Sequence, residues 1–220
     1  MSFEDVGLPE DADHTEAENA FRAAGWLPCG AGDWAFALRA PDGSAVVRIS
    51  PFDPTGPYTA ALYRDAAPTR QVPALFAHRR LLGGGDLMIM EALGDADEAL
   101  AAPFLAAIAE RRPHVAALAD TVRRIHDQAK AELAWCGPLD ENPSNVMLGA
   151  DGRLVLTDPY YADGPALYAA AAAEPDVVAA RIPEDQRRFM TEIPLTYSGP
   201  WSPESRAEMR RGLAEADARR

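Results

Sequence analysis

The feature that most constrains this chain is a change of period partway along it. Between Gly25 and Glu91, large apolar residues mostly alternate with small or polar ones, as half-buried strands require; from Asp95 onward the apolar spacing becomes helical. Strands first and helices second point to an α+β arrangement in two parts, with a hinge near Ala92 to Asp95. The expected division is a first lobe over 1–93 and a helical second lobe over 94–220.

Local signals place the elements. HTEAENAFRAA (14–24) reads as a short helix, capped by Asp13 or Thr15 and closed by Gly25. GWLPCGAGD and the hairpin WAFALRA-PDG-SAVVRIS supply three sequential strands, with Gly30 and Gly32 at the first turn. PYTAALYRDAA is a helix, and ALFAHRRLL with GGGDLMIMEAL forms a further hairpin, making a five-stranded sheet with one helix. In PHVAALADTVRRIHDQAKAEL, Val115, Leu118, Val122 and Ile125 recur at helical spacing, so that helix packs one face on a core. After Tyr161 the chain is helical in segments broken by prolines, and the tail from Pro203 is expected as a charged helix, frayed in part.

Composition narrows the function classes. The 220 residues carry a formal charge of -13, which repels nucleic acid, and no basic patch offsets it. No apolar run approaches membrane-spanning length and the start is acidic, so no membrane partner is expected and the location reads as cytoplasmic. Cys29 and Cys136 are too few and too far apart for a disulfide framework or a metal knuckle. Arginine is the default cation: of 21 basic residues only Lys130 is a lysine. Oligomeric state is left open.

The chemistry-bearing stretch is LDENPSNVMLGADGRLVLTDPYY (139–161). Its ADG turn folds NVMLG and LVLT together, so Asn145 at the entry and Asp158 at the exit emerge at the same end. Asp140, on a loop stiffened by Pro143, faces the same space. Carboxylate and amide oxygens in that pattern suit a Mg²⁺ that shares its ligands with substrate phosphates, and a third carboxylate free of metal duty can accept a proton from a hydroxyl.

DENPSN resembles the D-x-x-P-x-N catalytic loop of the protein-kinase-like phosphotransferases, most closely the aminoglycoside and choline kinase branch, and TDPYY resembles that family's second metal-binding segment. The resemblance spans roughly residues 25–161. It implies a bilobal kinase-like fold, with Asp140 as catalytic base and Asn145 and Asp158 as Mg²⁺ ligands. By the same resemblance, GAGDWAFAL is the phosphate-covering loop (Gly30, Gly32, Asp33), VVRIS carries the phosphate-pairing cation (Arg48), and LMIMEAL is the hinge strand. There Met90 borders adenine, and Glu91 and Leu148 are expected with it among the nucleotide-binding residues. Helix residue His126, in RRIHD, is structural in that family.

The implied reaction moves the γ-phosphoryl group of ATP to a hydroxyl of a small-molecule acceptor. Three positions depart from the family pattern: Arg48 stands where it has Lys, Pro138 where its loop has His, and the helix PYTAALYRDAA offers only Asp65 where it has Glu. They motivate an alternative, a pseudokinase acting as a nucleotide-binding regulatory module; a kinase-fold nucleotidyl transferase is a further one.

Overall fold

The computed structural model describes residues 3–194 and 202–220. A capping box opens α1 (His14–Ala23): Asp13 Oδ1 accepts from the Thr15 and Glu16 amides at 2.8 and 2.9 Å, while Glu16 accepts from Asp13 N at 3.0 Å. The helix ends at Gly25, whose φ of +86° suits a residue without Cβ.

Five strands follow, β1 (Leu27–Ala31), β2 (Phe36–Arg39), β3 (Ala45–Ser50), β4 (Leu75–Arg80) and β5 (Asp86–Glu91), in one antiparallel sheet of order β1-β2-β3-β5-β4. A register shift between Pro28 and Gly30 places a bulge at Cys29. The strand period of two then divides the sheet. Leu38, Val47, Ile49, Leu87 and Ile89 pack with Phe21 and Trp26 under α1, whereas Ala37, Val46 and Arg48 face the opposite side. Between β3 and β4 runs α2 (Gly56–Asp65).

The second part begins with β6 (Gly94–Asp95), α3 (Glu98–Ala109) and α4 (Ala116–Glu132). The hairpin β7 (Val146–Leu148) and β8 (Leu154–Leu156) joins β6 in a small sheet of order β6-β7-β8. α5 (Gly164–Ala173), α6 (Pro175–Arg181) and α7 (Pro203–Ala218) close the chain. The architecture is α+β, a five-stranded antiparallel lobe followed by a mainly helical one.

One apolar cluster ties the lobes together: Leu62 and Tyr63 of α2 and Met88 of β5 share it with Leu118, Val122 and Ile125 of α4 and with Val146 and Leu156 of the hairpin. The tail corrects an expectation. Met209, Leu213 and Ala216 recur on one face of α7 and are buried, the first two in a cluster with Phe52, Leu167 and Tyr168, so this helix is packed and not frayed. No helix among the described residues is long and apolar enough to cross a membrane.

Because the shared cluster spans both lobes, Leu118→Ala is expected to cost about 2–5 kcal/mol while preserving a single unfolding step. Urea titrations followed by near-UV and far-UV circular dichroism check this; non-coincident transitions would show that the lobes unfold separately.

Candidate functional site

A cleft of about 680 Å³ separates the sheet from the β7–β8 hairpin and the loop before it. Its inner wall is apolar, built from Ala37, Val46, Met90, Leu93 and Met147. Its other end is charged. Asp140, Asn145 and Asp158 all line it, as do Gly30, Gly32, Asp33, Arg48, Met90 and Glu91. Leu148 does not: Met147 is the hairpin residue that reaches the cleft, because neighbouring strand residues point to opposite faces.

The loop carrying Asp140 is held from two directions. Asp140 N donates to Pro159 O at 3.0 Å and Gly137 N to Tyr161 O at 2.9 Å, so the segment runs antiparallel to residues 159–163 and sets the Asp140 backbone beside the residue that follows Asp158. From below, buried His126 donates through Nε2 to Gly137 O at 2.9 Å and stacks on Tyr160 at 5.9 Å between ring centroids. A side chain at Gly137 would meet the Tyr161 ring, its Cβ 2.6 Å from Cε2, so any larger residue there displaces that ring. Within the loop, Asp140 Oδ1 accepts from Asn142 N at 2.9 Å, closing an Asx turn.

Asn145 and Asp158 end adjacent strands. Thr157 N donates to Asn145 O at 2.7 Å, and Asn145 Nδ2 lies 3.4 Å from Asp158 O. That contact leaves Asn145 Oδ1 as the amide atom without a protein partner among the described residues. Asp158 has φ of +40°, a conformation that a non-glycine residue adopts only under constraint. The constraint comes from α2 and β3: Asp158 N is bonded to Tyr63 Oη at 3.2 Å, and its Oδ2 accepts from Arg48 Nε at 3.0 Å.

Arg48 is the centre of the charged end. Besides Asp158, its Nη1 donates to Asp53 Oδ2 at 2.8 Å. The other oxygen of Asp53 accepts from Thr55 N, Thr55 Oγ1 and Gly56 N at 2.8 to 2.9 Å, closing the turn that starts α2. The acid that partners Arg48 is thus Asp53, ahead of the helix. Asp65, the only acid the helix itself offers, pairs with Arg124 at 2.5 Å on the surface. Sequence reading missed Asp53 because D-P-T-G signals only a helix cap; nothing local says what the second oxygen meets.

The ion group fixes the ionisation states. Although burial opposes its charge, Arg48 with Thr55 holds the Asp53 carboxyl below its ordinary value. Burial raises Asp158, Arg48 pulls against that rise, and the nearby Asp53 adds to it. For Arg48, burial is outweighed by Asp158 and Asp53, which raise the guanidinium further. The Asp158 side chain is 37% exposed against 4% for Asp53, so of the two carboxylates only Asp158 can also meet a ligand.

Among the described residues no three His, Cys, Asp or Glu side chains converge as a metal cage. What stands at the end of the hairpin is a sparser oxygen set, Asp158 and the amide oxygen of Asn145, which fits Mg²⁺ shared with phosphates and water better than it fits an all-protein site. Gly30 and Gly32 add a separate observation. Neither has positive φ, and a Cβ on either would meet nothing within 4 Å, so the protein's own packing does not demand glycine at this rim.

No protein-family model matches the chain, and no curated protein does. Among solved structures it is similar to a chain of the CAK complex from Chaetomium thermophilum bound to ATP-γ-S, at 13% identity and TM-score 0.32 over 68% of this chain and 51% of that one. It is similar to the Mycobacterium tuberculosis PknI kinase domain at 15% identity and TM-score 0.30, over 88% and 96% of the two chains. It is also similar to the kinase PK-1 of Cydia pomonella granulovirus at 12% identity and TM-score 0.36, over 91% of each. The chain spans about half the length of the first of these. Likenesses this distant leave site and function to be argued from the residues themselves.

Asp53→Asn keeps an oxygen for the α2 cap but removes a buried charge from Arg48, and is expected to cost about 3–5 kcal/mol. The sign of its pH dependence follows from the depressed Asp53 value. The stabilisation is fully present above the ordinary carboxyl value of 3.8 and is lost as pH falls from there through the lower folded value, so across that interval the variant should lose less stability than wild type. Parallel acid-denaturation curves for the two proteins would refute the assignment.

Proposed function

We propose that the chain is an ATP-dependent phosphotransferase that moves the γ-phosphoryl group to a hydroxyl of a small-molecule acceptor. The observation that carries this reading is that Asp140, Asn145, Asp158 and Arg48 line one cleft together with the apolar residues Ala37, Val46, Met90, Leu93 and Met147.

The apolar slot between Val46, Met90, Leu93 and Met147 suits adenine, and the rim at Gly30 to Asp33 lies where phosphates would extend. Arg48 uses Nε and Nη1 on its two carboxylates, and its Nη2 has no protein partner among the described residues, so it retains donors for a phosphate oxygen. Charge sets the form in which nucleotide enters. Six carboxylates and two guanidiniums line the cleft, so a bare triphosphate is repelled and a magnesium complex is favoured. Mg²⁺, when bound by Asn145 and Asp158, supplies neutralisation of the phosphate oxygens.

Asp140 stands beside this group on a rigid loop. It accepts the proton of the acceptor hydroxyl as that oxygen bonds to the γ-phosphorus and the bond to the ADP oxygen breaks. Positioning and charge neutralisation supply most of the acceleration. Tyr161 and Trp34, both lining the cleft, border the space left for the acceptor. Burial, with Asp140 and Asp163 nearby, raises the Tyr161 phenol, which therefore stays a hydrogen-bond donor at neutral pH.

One observation favours a second reading. Arg48 already pairs with Asp158, the carboxylate proposed for the metal, which suits a nucleotide-binding pseudokinase that regulates a partner. Incubation of the protein with a metabolite extract, Mg²⁺ and ATP labelled at the α or γ position separates the readings. γ-label transfer supports the kinase, α-label transfer a nucleotidyl transferase, and nucleotide binding without either the regulator.

In the kinase case Asp140→Ala is expected to lower kcat by about 10²–10⁴ while leaving the Kd for nucleotide nearly unchanged. Retained turnover would remove Asp140 from the base role. Asp158→Ala should abolish the Mg²⁺ dependence of nucleotide binding, read by titration calorimetry with and without the metal.

A further inference from the structure

A second cavity, of about 450 Å³, lies along a different face of α2 from the one that turns Tyr63 toward the cleft. Its size falls in the range of small-molecule sites. Its floor is apolar, with Pro57, Leu133, Trp135, Leu167 and Ile182 contributing hydrocarbon and one aromatic face. Charge at its rim is unevenly spent. Glu132 is taken up by Tyr58 Oη at 2.5 Å and Gln128 Nε2 at 3.0 Å, and Arg80 is paired with Asp86 at 3.1 Å. The exposed side chain of Arg181, the last residue of α6, has no hydrogen-bond or ion-pair partner among the described residues. The group left to recognise a ligand is therefore a guanidinium beside an apolar floor, a combination that suits a carboxylate on a hydrocarbon body.

The walls of this cavity hold the cleft's charged group in place. Arg80 Nη1 donates to Asp53 O at 2.6 Å and its Nη2 to Gly84 O at 2.9 Å, so Arg80 positions the residue whose carboxylate grips Arg48. Pro54, the next residue, is itself a wall. On the opposite side, Trp135 O accepts from Asp163 N at 2.7 Å at the start of the paired segments that carry Asp140 and Asp158. A molecule seated here touches both supports of the cleft.

We infer that this cavity is an effector site for a small apolar carboxylic acid, bound through Arg181 and coupled to the nucleotide cleft through Arg80 and Asp53. The coupling rests on the nucleotide reading above; the cavity's ligand class does not.

Titration calorimetry on the whole chain tests it, with 3-phenylpropionate, 4-methylpentanoate and octanoate as probes and 3-phenylpropionamide as the uncharged counterpart of the first. At least one acid is expected to bind, and 3-phenylpropionate should bind about tenfold more tightly than its amide. Arg181→Gln should erase that preference. Saturating acid should change the affinity for Mg·ATP by about fivefold or more, and Mg·ATP should change the affinity for the acid by the same factor. Failure of all three acids to bind, or an amide that binds as well as its acid on the wild-type protein, would overturn the site whatever the variant does. Independent binding of acid and Mg·ATP would overturn the effector role alone. A protein that binds acid but no Mg·ATP would end the effector role through the failure of the nucleotide reading, and is told apart from independent binding by the missing nucleotide isotherm.

Discussion

The structure turns on a guanidinium held between two carboxylates. Arg48 comes from the middle of the sheet, Asp53 from the turn that starts α2, and Asp158 from the end of the small hairpin in the other lobe. Withdrawing Arg48 and Asp53 from water is costly, and the arrangement persists because each meets an opposite charge with good geometry and because Asp53 is satisfied further by three donors at the helix start. One side chain thereby fixes the relation between sheet, helix and hairpin. It also anchors the side chain of Asp158, whose φ is +40°.

Around that centre the apolar core does the coarse positioning. α4 carries Leu118, Val122 and Ile125 into the cluster shared by the lobes, and the same helix presents His126 to the backbone of the loop bearing Asp140. Packing and polar support thus run through one element. The result is a cleft with an apolar end formed by strand alternation and a charged end formed where separate segments meet. On the function proposed above, a cation bound by the two oxygen donors at the end of the hairpin would let a phosphate chain approach Arg48 in this acid-rich cleft.

Much of this was legible in the residues. The switch from alternating to helical spacing marked the two parts, and the five strands and α4 follow from patterns that each segment carries within itself. The hairpin across Ala150 to Gly152 puts Asn145 and Asp158 at one end, since a tight turn leaves two short strands no other choice. Other points were not legible. The alternation in VML says that Met147 and Leu148 face opposite ways, but which of them meets the cleft depends on where the sheet lies. The charge of α7 suggested a loose tail, while its burial required α5 and α6 to supply a surface for Met209 and Leu213.

What the sequence determined by itself was therefore periodic and local: the element types, the turns, and the clustering of oxygen-bearing side chains along a single stretch of chain. The identity of the partner of Arg48 was decided only by the tertiary structure. With 34 acidic residues to choose from, no local pattern singles out Asp53. Coulomb attraction depends on distance through space and on the water excluded between the charges, and both are set only when β3, the start of α2 and the end of β8 have packed together.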